Sequence, residues 1–295
     1  MHLFLPSGDY DTKYPPHFLS VYLLHMRVRL LWLTVFIALL SSCSRRLYYP
    51  ERANVPTFME ANELKATASV KLQTGRAFFA PEADIAYAPA NHIGIIASYR
   101  SMPDRMADLY SRFNSTTSDS FNKTQVNLRG NRIEAGAGYF TRMGREGMLE
   151  VYGGYGNGSM TADQAPYHYF DTRYHRFFVQ ADVGFKNKDI SVTGGVQASM
   201  QQYYQFHADS IVYRQVSSNP AQFVELTGRN FLFVQPYINA EAGYKYVFFN
   251  FQCGFSAQLG SNKRDISGDA FMYLSMGVTF RLDARRCSSY RSGSK

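Results

Sequence analysis

The sequence predicts an all-β fold: an antiparallel up-and-down transmembrane β-barrel of about ten strands, with eight as the alternative. Three observations predict it. Apolar and polar side chains alternate with period two over many segments, charged residues are few, and the connections between segments alternate short and long. The stretch 247–258, VFFNFQCGFSAQ, shows the alternation most clearly. Val247, Phe249, Phe251, Cys253, Phe255 and Ala257 form one set, and Phe248, Asn250, Gln252, Gly254, Ser256 and Gln258 the other. Alternate residues of a strand point to opposite faces, so this strand has an oily face and a wet one.

Composition supports one body partly wrapped in hydrocarbon. Aromatic residues make up 16% of the chain, with 22 Tyr, 23 Phe and a single Trp, while charged residues make up only 18%. That charge is low for a surface facing water on all sides. The net charge of +8 raises the question of nucleic acid, but Lys and Arg are scattered and build no basic stripe beside stacking aromatics, so nucleic acid is not expected as a partner. Part of the charge sits in a basic tail, 283–295, at Arg285, Arg286, Arg291 and Lys295.

The N-terminal part divides by composition. Residues 1–25 have neither a basic start nor a strand pattern and read as a dispensable upstream extension, with Met26 as the effective start. Residues 26–42 read as a lipoprotein signal peptide. Arg27 and Arg29 are its charged start, and 30–40 is an apolar core too short to span a bilayer. It ends in Leu40-Ser41-Ser42-Cys43, a lipobox pattern that makes Cys43 the expected lipidated residue. Residues 43–62 show no alternation, carry Pro50 and Pro56, and read as a periplasmic tether between lipid and barrel. Cys253 lies mid-strand and Cys287 in the tail, so no disulfide is expected between them.

The barrel itself is expected over 63–282. Segments 63–73, 82–89, 93–99, 126–140, 148–157, 173–186, 190–203, 231–244, 247–258 and 270–282 approach the ~9–11 residues that a tilted membrane strand needs. The connections at 90–92, 141–147, 187–189 and 245–246 are short; those at 74–81, 100–125, 158–172, 204–230 and 259–269 are longer. Outer-membrane barrels show this asymmetry, with short periplasmic turns and longer external loops. An even strand number then puts both termini on the periplasmic side, where the lipobox also places the N-terminus.

The wet faces carry charges: Lys65, Lys71, Arg132, Glu134, Glu150, Arg176, Asp182, Lys186, Glu241 and Arg281. Two readings are open, a structural ion-pair network filling a narrow lumen and a conducting or binding pore. Tyr87, Tyr99, Tyr139, Tyr155 and Tyr244 lie near strand ends on the oily face, as aromatic girdles require.

Little in the sequence points to chemistry. His168 with Asp171 and His207 with Asp209 are placed by the pattern in separate long loops, with no nucleophile motif beside them. His92 falls in a short turn as a solvated residue, and His175 leads into a strand near the interface. No Cys and His cluster has metal spacing and no phosphate loop occurs, so no cofactor is expected. Within 100–125, Pro103 is followed by Met106, Leu109, Tyr110 and Phe113 at helical spacing, which predicts a short amphipathic helix packed on the rim or serving as a ligand lid. In 204–230, Ile211, Val212 and Tyr213 suggest that two strands continue above the membrane as a hairpin.

From Tyr49 onward a set of strand and turn patterns carries a family resemblance: YPERANVP, EADIAYAPANHIGIIASY, EAGAGYF, LEVYGGYGNG, RFFVQADVGFKNK, FLFVQPYINAEAGYKYVFFNFQCGFS and MYLSMGVTFRL. Together they resemble the small outer-membrane β-barrel proteins of Bacteroidota, some of which carry a lipobox. The resemblance implies an outer-membrane address and outer-membrane lipids as surroundings. Surface-exported lipoproteins of that group show an acidic run after the cysteine, whereas here the run is Ser44-Arg45-Arg46, which favours a lipid facing the periplasm. The expected function is a structural or surface-interaction role through long external loops, where an extracellular ligand would bind. The alternatives are a narrow channel for small solutes and a rim-located membrane hydrolase or acyltransferase.

Overall fold

A computed structural model describes residues 50–73, 80–111, 122–164, 167–208, 227–259 and 271–282. The leader, Cys43, Cys287, the basic tail and the stretch 211–213 lie outside the described residues.

The described chain forms ten strands: β1 (Leu64–Gln73), β2 (Ala80–Ala90), β3 (Ile93–Ser111), β4 (Asn122–Met143), β5 (Gly147–Gln164), β6 (Tyr167–Lys186), β7 (Ile190–Ala208), β8 (Asn230–Tyr244), β9 (Val247–Leu259) and β10 (Phe271–Leu282). Each pairs antiparallel with the next, and β10 pairs back onto β1, so the sheet is a closed barrel without an edge. Where the ring of pairing is complete, closure satisfies the strands' backbone groups within the sheet, which is what allows a β-structure to sit in hydrocarbon.

Period-two alternation sets which face looks out. On β9 the side chains of Phe248, Asn250, Gln252 and Ser256 are buried, while Val247 and Phe249 are each 56% exposed. On β4 the outward set runs Tyr139, Ala137, Ala135, Ile133 and then changes to Asn131 and Arg129; on β6 it runs Phe185, Val183, Ala181, Val179, Phe177 and then His175 and Arg173. An apolar belt thus encircles the outside and ends at a polar collar. Tyr87, Tyr139 and Tyr244 face outward at one edge of the belt, and Tyr99 and Tyr155 at the other. Cys253 faces outward within the belt, half-buried between neighbours on β9.

The turn end is tight. β2 and β3, and β8 and β9, are joined by two-residue connections in which His92 and Lys245 take positive φ (69° and 55°), a conformation such hairpin turns require. His92 does more than sit in water. Its Nδ1 lies 2.9 Å from the Phe140 carbonyl and its ring stacks on Tyr139 at 5.3 Å, tying the turn to β4.

The wall is uneven. β3 to β7 run 18 to 22 residues, against 10 to 15 for the other strands. The expected helix is not formed at Met106, Leu109 and Tyr110: these residues belong to β3 and pair with Asn127, Thr124 and Lys123 of β4, while Phe113 lies outside the described residues. Pro103, which has no N–H for the ladder, falls at the register shift between Met102 and Arg105, so the strand bypasses it and continues.

Candidate functional site: a lumen occupied by residues 50–59

The structure corrects the expected tether over its described part. Residues 50–59 lie inside the barrel: Arg52, Ala53, Val55, Thr57 and Phe58 are each 2% exposed or less. This segment has no strand partner, and its backbone is satisfied by side chains of the wall instead. Six successive carbonyls are each bonded in this way. Pro50 accepts from Lys71 Nζ at 3.0 Å, Glu51 from Gln235, Arg52 from Arg100 Nη2 at 2.9 Å, Ala53 from Gln252 Nε2 at 3.1 Å, Asn54 from Gln180 Nε2 at 2.7 Å, and Val55 from Lys65. Gln252 also accepts from the Ala53 N–H at 2.9 Å, so one side-chain amide pairs with that residue as a neighbouring strand would.

Lower down, Glu150 takes two successive amides, Thr57 N at 3.0 Å on one oxygen and Phe58 N at 2.7 Å on the other. Phe58 then enters an apolar pocket of Ala86, Ala88, Ile96, Phe140, Tyr152 and Phe178, with its ring 5.5 Å from that of Phe140. Gly94 is required there, because a Cβ at that position would come within 2.5 Å of the Tyr152 hydroxyl and 3.1 Å of the Phe58 ring. Glu63 ends the descent, accepting from the amides of Met59 (3.3 Å) and Glu60 (3.1 Å) and pairing with Lys186 at 2.6 Å.

The partners fix the direction of the segment. Pro50 meets Lys71 near the far end of β1, Asn54 meets Ser98 in the middle of the wall, and Glu63 meets Lys186 at the turn end. The chain therefore descends the lumen from the loop side to the turn side, reverses through Asn62 (φ 64°) and enters β1.

All of the sequence-predicted lumen charges point inward and are buried, and they form clusters with the segment. Toward the loop side Glu51 pairs with Arg132, Arg132 Nε lies 3.1 Å from Glu134, and Glu134 pairs with Arg176, which donates to Gln197 at 2.7 Å. Asp182 accepts from Tyr237 and from Gln180 at 2.7 Å. Toward the turn side Glu241 is held between Lys65 and Arg281, and the Arg281 guanidinium lies 4.1 Å over the Phe248 ring. Sequence reasoning missed Glu82, Asp84 and Arg100, which occupy the same inward face: Arg100 meets Asp84 at 2.6 Å and Glu82 at 3.9 Å, and Arg52 lies 3.6 Å from Asp84. Their alternation with Ala83, Ile85 and Tyr99 was the available signal. Buried charges need partners, and here the segment's Glu51, Arg52 and Glu63 supply part of the pairing.

One small cavity borders the segment. A cavity lined by Asn54, Ser98, Glu134, Gln180 and Gln197 measures about 10 Å³, room for roughly one water.

Of the candidate catalytic residues, Asp171 and His207 lie on adjacent strands and are direct cross-strand partners, not members of separate loops; Asp209 and the side chain of His168 lie outside the described residues. Thr161 donates to Asp171 at 2.7 Å. His175 stacks on Tyr204 at 4.1 Å and lies 2.6 Å from the Tyr155 hydroxyl, an outward-facing cluster just above the belt. Among the described residues no three His, Cys, Asp or Glu side chains converge as a metal site.

No family model matches the chain, and no curated protein matches it. Solved barrels do. The chain is similar to the outer-membrane expressed OmpT of Vibrio cholerae at 12% identity and a TM-score of 0.33, covering 76% of this chain but only 62% of that one. It is similar to the outer membrane protease OmpT from Escherichia coli at 11% identity and a TM-score of 0.42, covering 76% of this chain and 94% of that one. The translocator domain of autotransporter NalP from Neisseria meningitidis gives 11% identity and a TM-score of 0.42, with 76% of this chain and 89% of that one covered. Likenesses at this level say nothing about activity or ligand.

Proposed function

We propose that this chain is an outer-membrane β-barrel, further held by lipid on Cys43, that serves a structural or surface-interaction role through its long connections rather than passing solutes. The apolar belt bounded by tyrosines supports the membrane setting, since only side chains that tolerate hydrocarbon face outward there. The observation that carries the role is the filled lumen. Six consecutive carbonyls of 50–55 are bonded to wall side chains and Phe58 is locked in an apolar pocket, so the chain's own backbone occupies the bore at this level. The small outer-membrane barrels of Bacteroidota remain the family this reading fits, on the strand and turn patterns quoted above.

Planar-bilayer recording of the purified full-length protein tests this. Insertion without conductance steps is the expected result. Stable, ion-selective steps from the unaltered protein would favour the channel reading and remove the structural one.

A further inference from the structure

The wall contacts of residues 50–63 fix where the chain upstream of them must go. Pro50 is bonded to Lys71, two residues short of the end of β1 at Gln73. Glu51 pairs with Arg132, and the outward neighbours of Arg132 are Ile133, the last apolar residue of the belt on β4, and Asn131, the first residue of the polar collar. Pro50 therefore already stands at the loop-side edge of the belt. A chain returning from there to the turn side would have to share the lumen with 50–59, whose carbonyls already take the inward amides of Gln180 and Gln252, and would have to pass the buried apolar cluster of Phe58, Tyr152 and Phe178 below.

We infer that the segment upstream of Pro50 leaves the barrel through the mouth bordered by the long connections, so that Cys43 lies on the loop face and not on the turn face where β1 begins. The chain is threaded through its own barrel. At ~3.3–3.6 Å per residue fully extended, the stretch 43–49 reaches roughly 25 Å from Pro50, enough to clear the rim and return to the adjoining leaflet. The consequence is specific: a lipid carried by Cys43 inserts in the leaflet on the loop side, and the basic pair Arg45 and Arg46 meets the anionic head groups of that leaflet. The lipid part of this rests on the lipidation proposed above; the exit of the chain does not.

The experiment is thiol labelling of intact cells with a membrane-impermeant maleimide. The background chain carries Cys253→Ala and Cys287→Ala and keeps Cys43, and single cysteines are added as Leu47→Cys, as Ser218→Cys in the connection between β7 and β8, or as Lys188→Cys in the turn between β6 and β7. Folding of each variant is checked by its heat-modifiable gel mobility. Leu47→Cys is expected to label together with Ser218→Cys, with no gain on permeabilising the outer membrane, while Lys188→Cys labels only after permeabilisation. Labelling of Leu47→Cys in step with Lys188→Cys overturns the inference. This comparison holds whichever face of the barrel is outside, because both ends serve as references. The background chain reports separately on lipidation: labelling of its one remaining thiol shows a free Cys43 and removes the lipid, and that thiol must then follow the loop-side reference for the threading to stand. Should Leu47→Cys fail to fold, Arg46→Cys gives the same reading.

Discussion

Glu150 holds Phe58 by its backbone: the carboxylate accepts from the Phe58 amide at 2.7 Å on one oxygen while the other takes Thr57 at 3.0 Å. A glutamine keeps one acceptor oxygen and turns an NH₂ group against the second amide. Glu150→Gln should weaken docking of the segment by ~1–3 kcal/mol, the cost of an unsatisfied buried donor. Hydrogen exchange at Thr57 and Phe58 should accelerate accordingly while the strand amides of β5 stay protected. Unchanged exchange at both positions would remove Glu150 from the set of residues that hold the segment.

Phe58→Ala empties the pocket between Ile96, Phe140, Tyr152 and Phe178. Truncating a buried phenylalanine costs ~3–5 kcal/mol. Here the loss falls on the docked segment, since the wall is held by its own ladder. Intermittent conductance openings in planar bilayers are expected from this variant, against a silent parent. A variant as silent as the parent would show that the side chain is not what keeps the lumen shut.

Glu241 is the one carboxylate between Lys65 and Arg281 in the pairs it makes with them, and all three are buried. Glu241→Gln leaves two cations facing each other without their counter-charge. Breaking a buried pair of this kind costs ~3–5 kcal/mol. The midpoint of unfolding in urea should fall clearly, whereas Lys188→Gln, which alters a surface pair with Asp189 at a lysine 82% exposed, should leave it unchanged.

How much of this was legible in the sequence follows from where its information lies. The wall was readable because a half-lipid, half-polar strand must alternate, and β8, β9 and β10 fall within a residue or so of the expected segments. The upper part of β3 was not, because Met106, Leu109 and Tyr110 fall at helical spacing and only pairing with β4 decides against a helix. Residues 50–62 read as a tether because nothing in their own pattern marks them. The wall recognises their backbone, which any sequence carries. The signal lay in the wall: Gln180, Gln235 and Gln252 on inward faces offer amides that need a backbone partner, and Ile96, Phe140 and Phe178 form an apolar patch facing a polar lumen.

Ile238 is 56% exposed on the outer face of β8, and its neighbour Asn239 is fully buried among Asn250 and Gln252 inside. Ile238→Arg puts a charge against hydrocarbon at ~2–4 kcal/mol. Folding yield into lipid vesicles should drop for Ile238→Arg and stay near the parent's for Asn239→Ser. Equal yields would contradict the assignment of faces.

Residues 50–59 lie within the closed wall, and the bond after Arg52 tests this most directly. Arg52 is 2% exposed, and its carbonyl is bonded to Arg100. Trypsin added to the folded, vesicle-inserted protein should leave that bond intact, so that mass spectrometry finds no chain beginning at Ala53, and the same digestion after thermal unfolding should produce it. A fragment beginning at Ala53 from the folded protein would contradict the account.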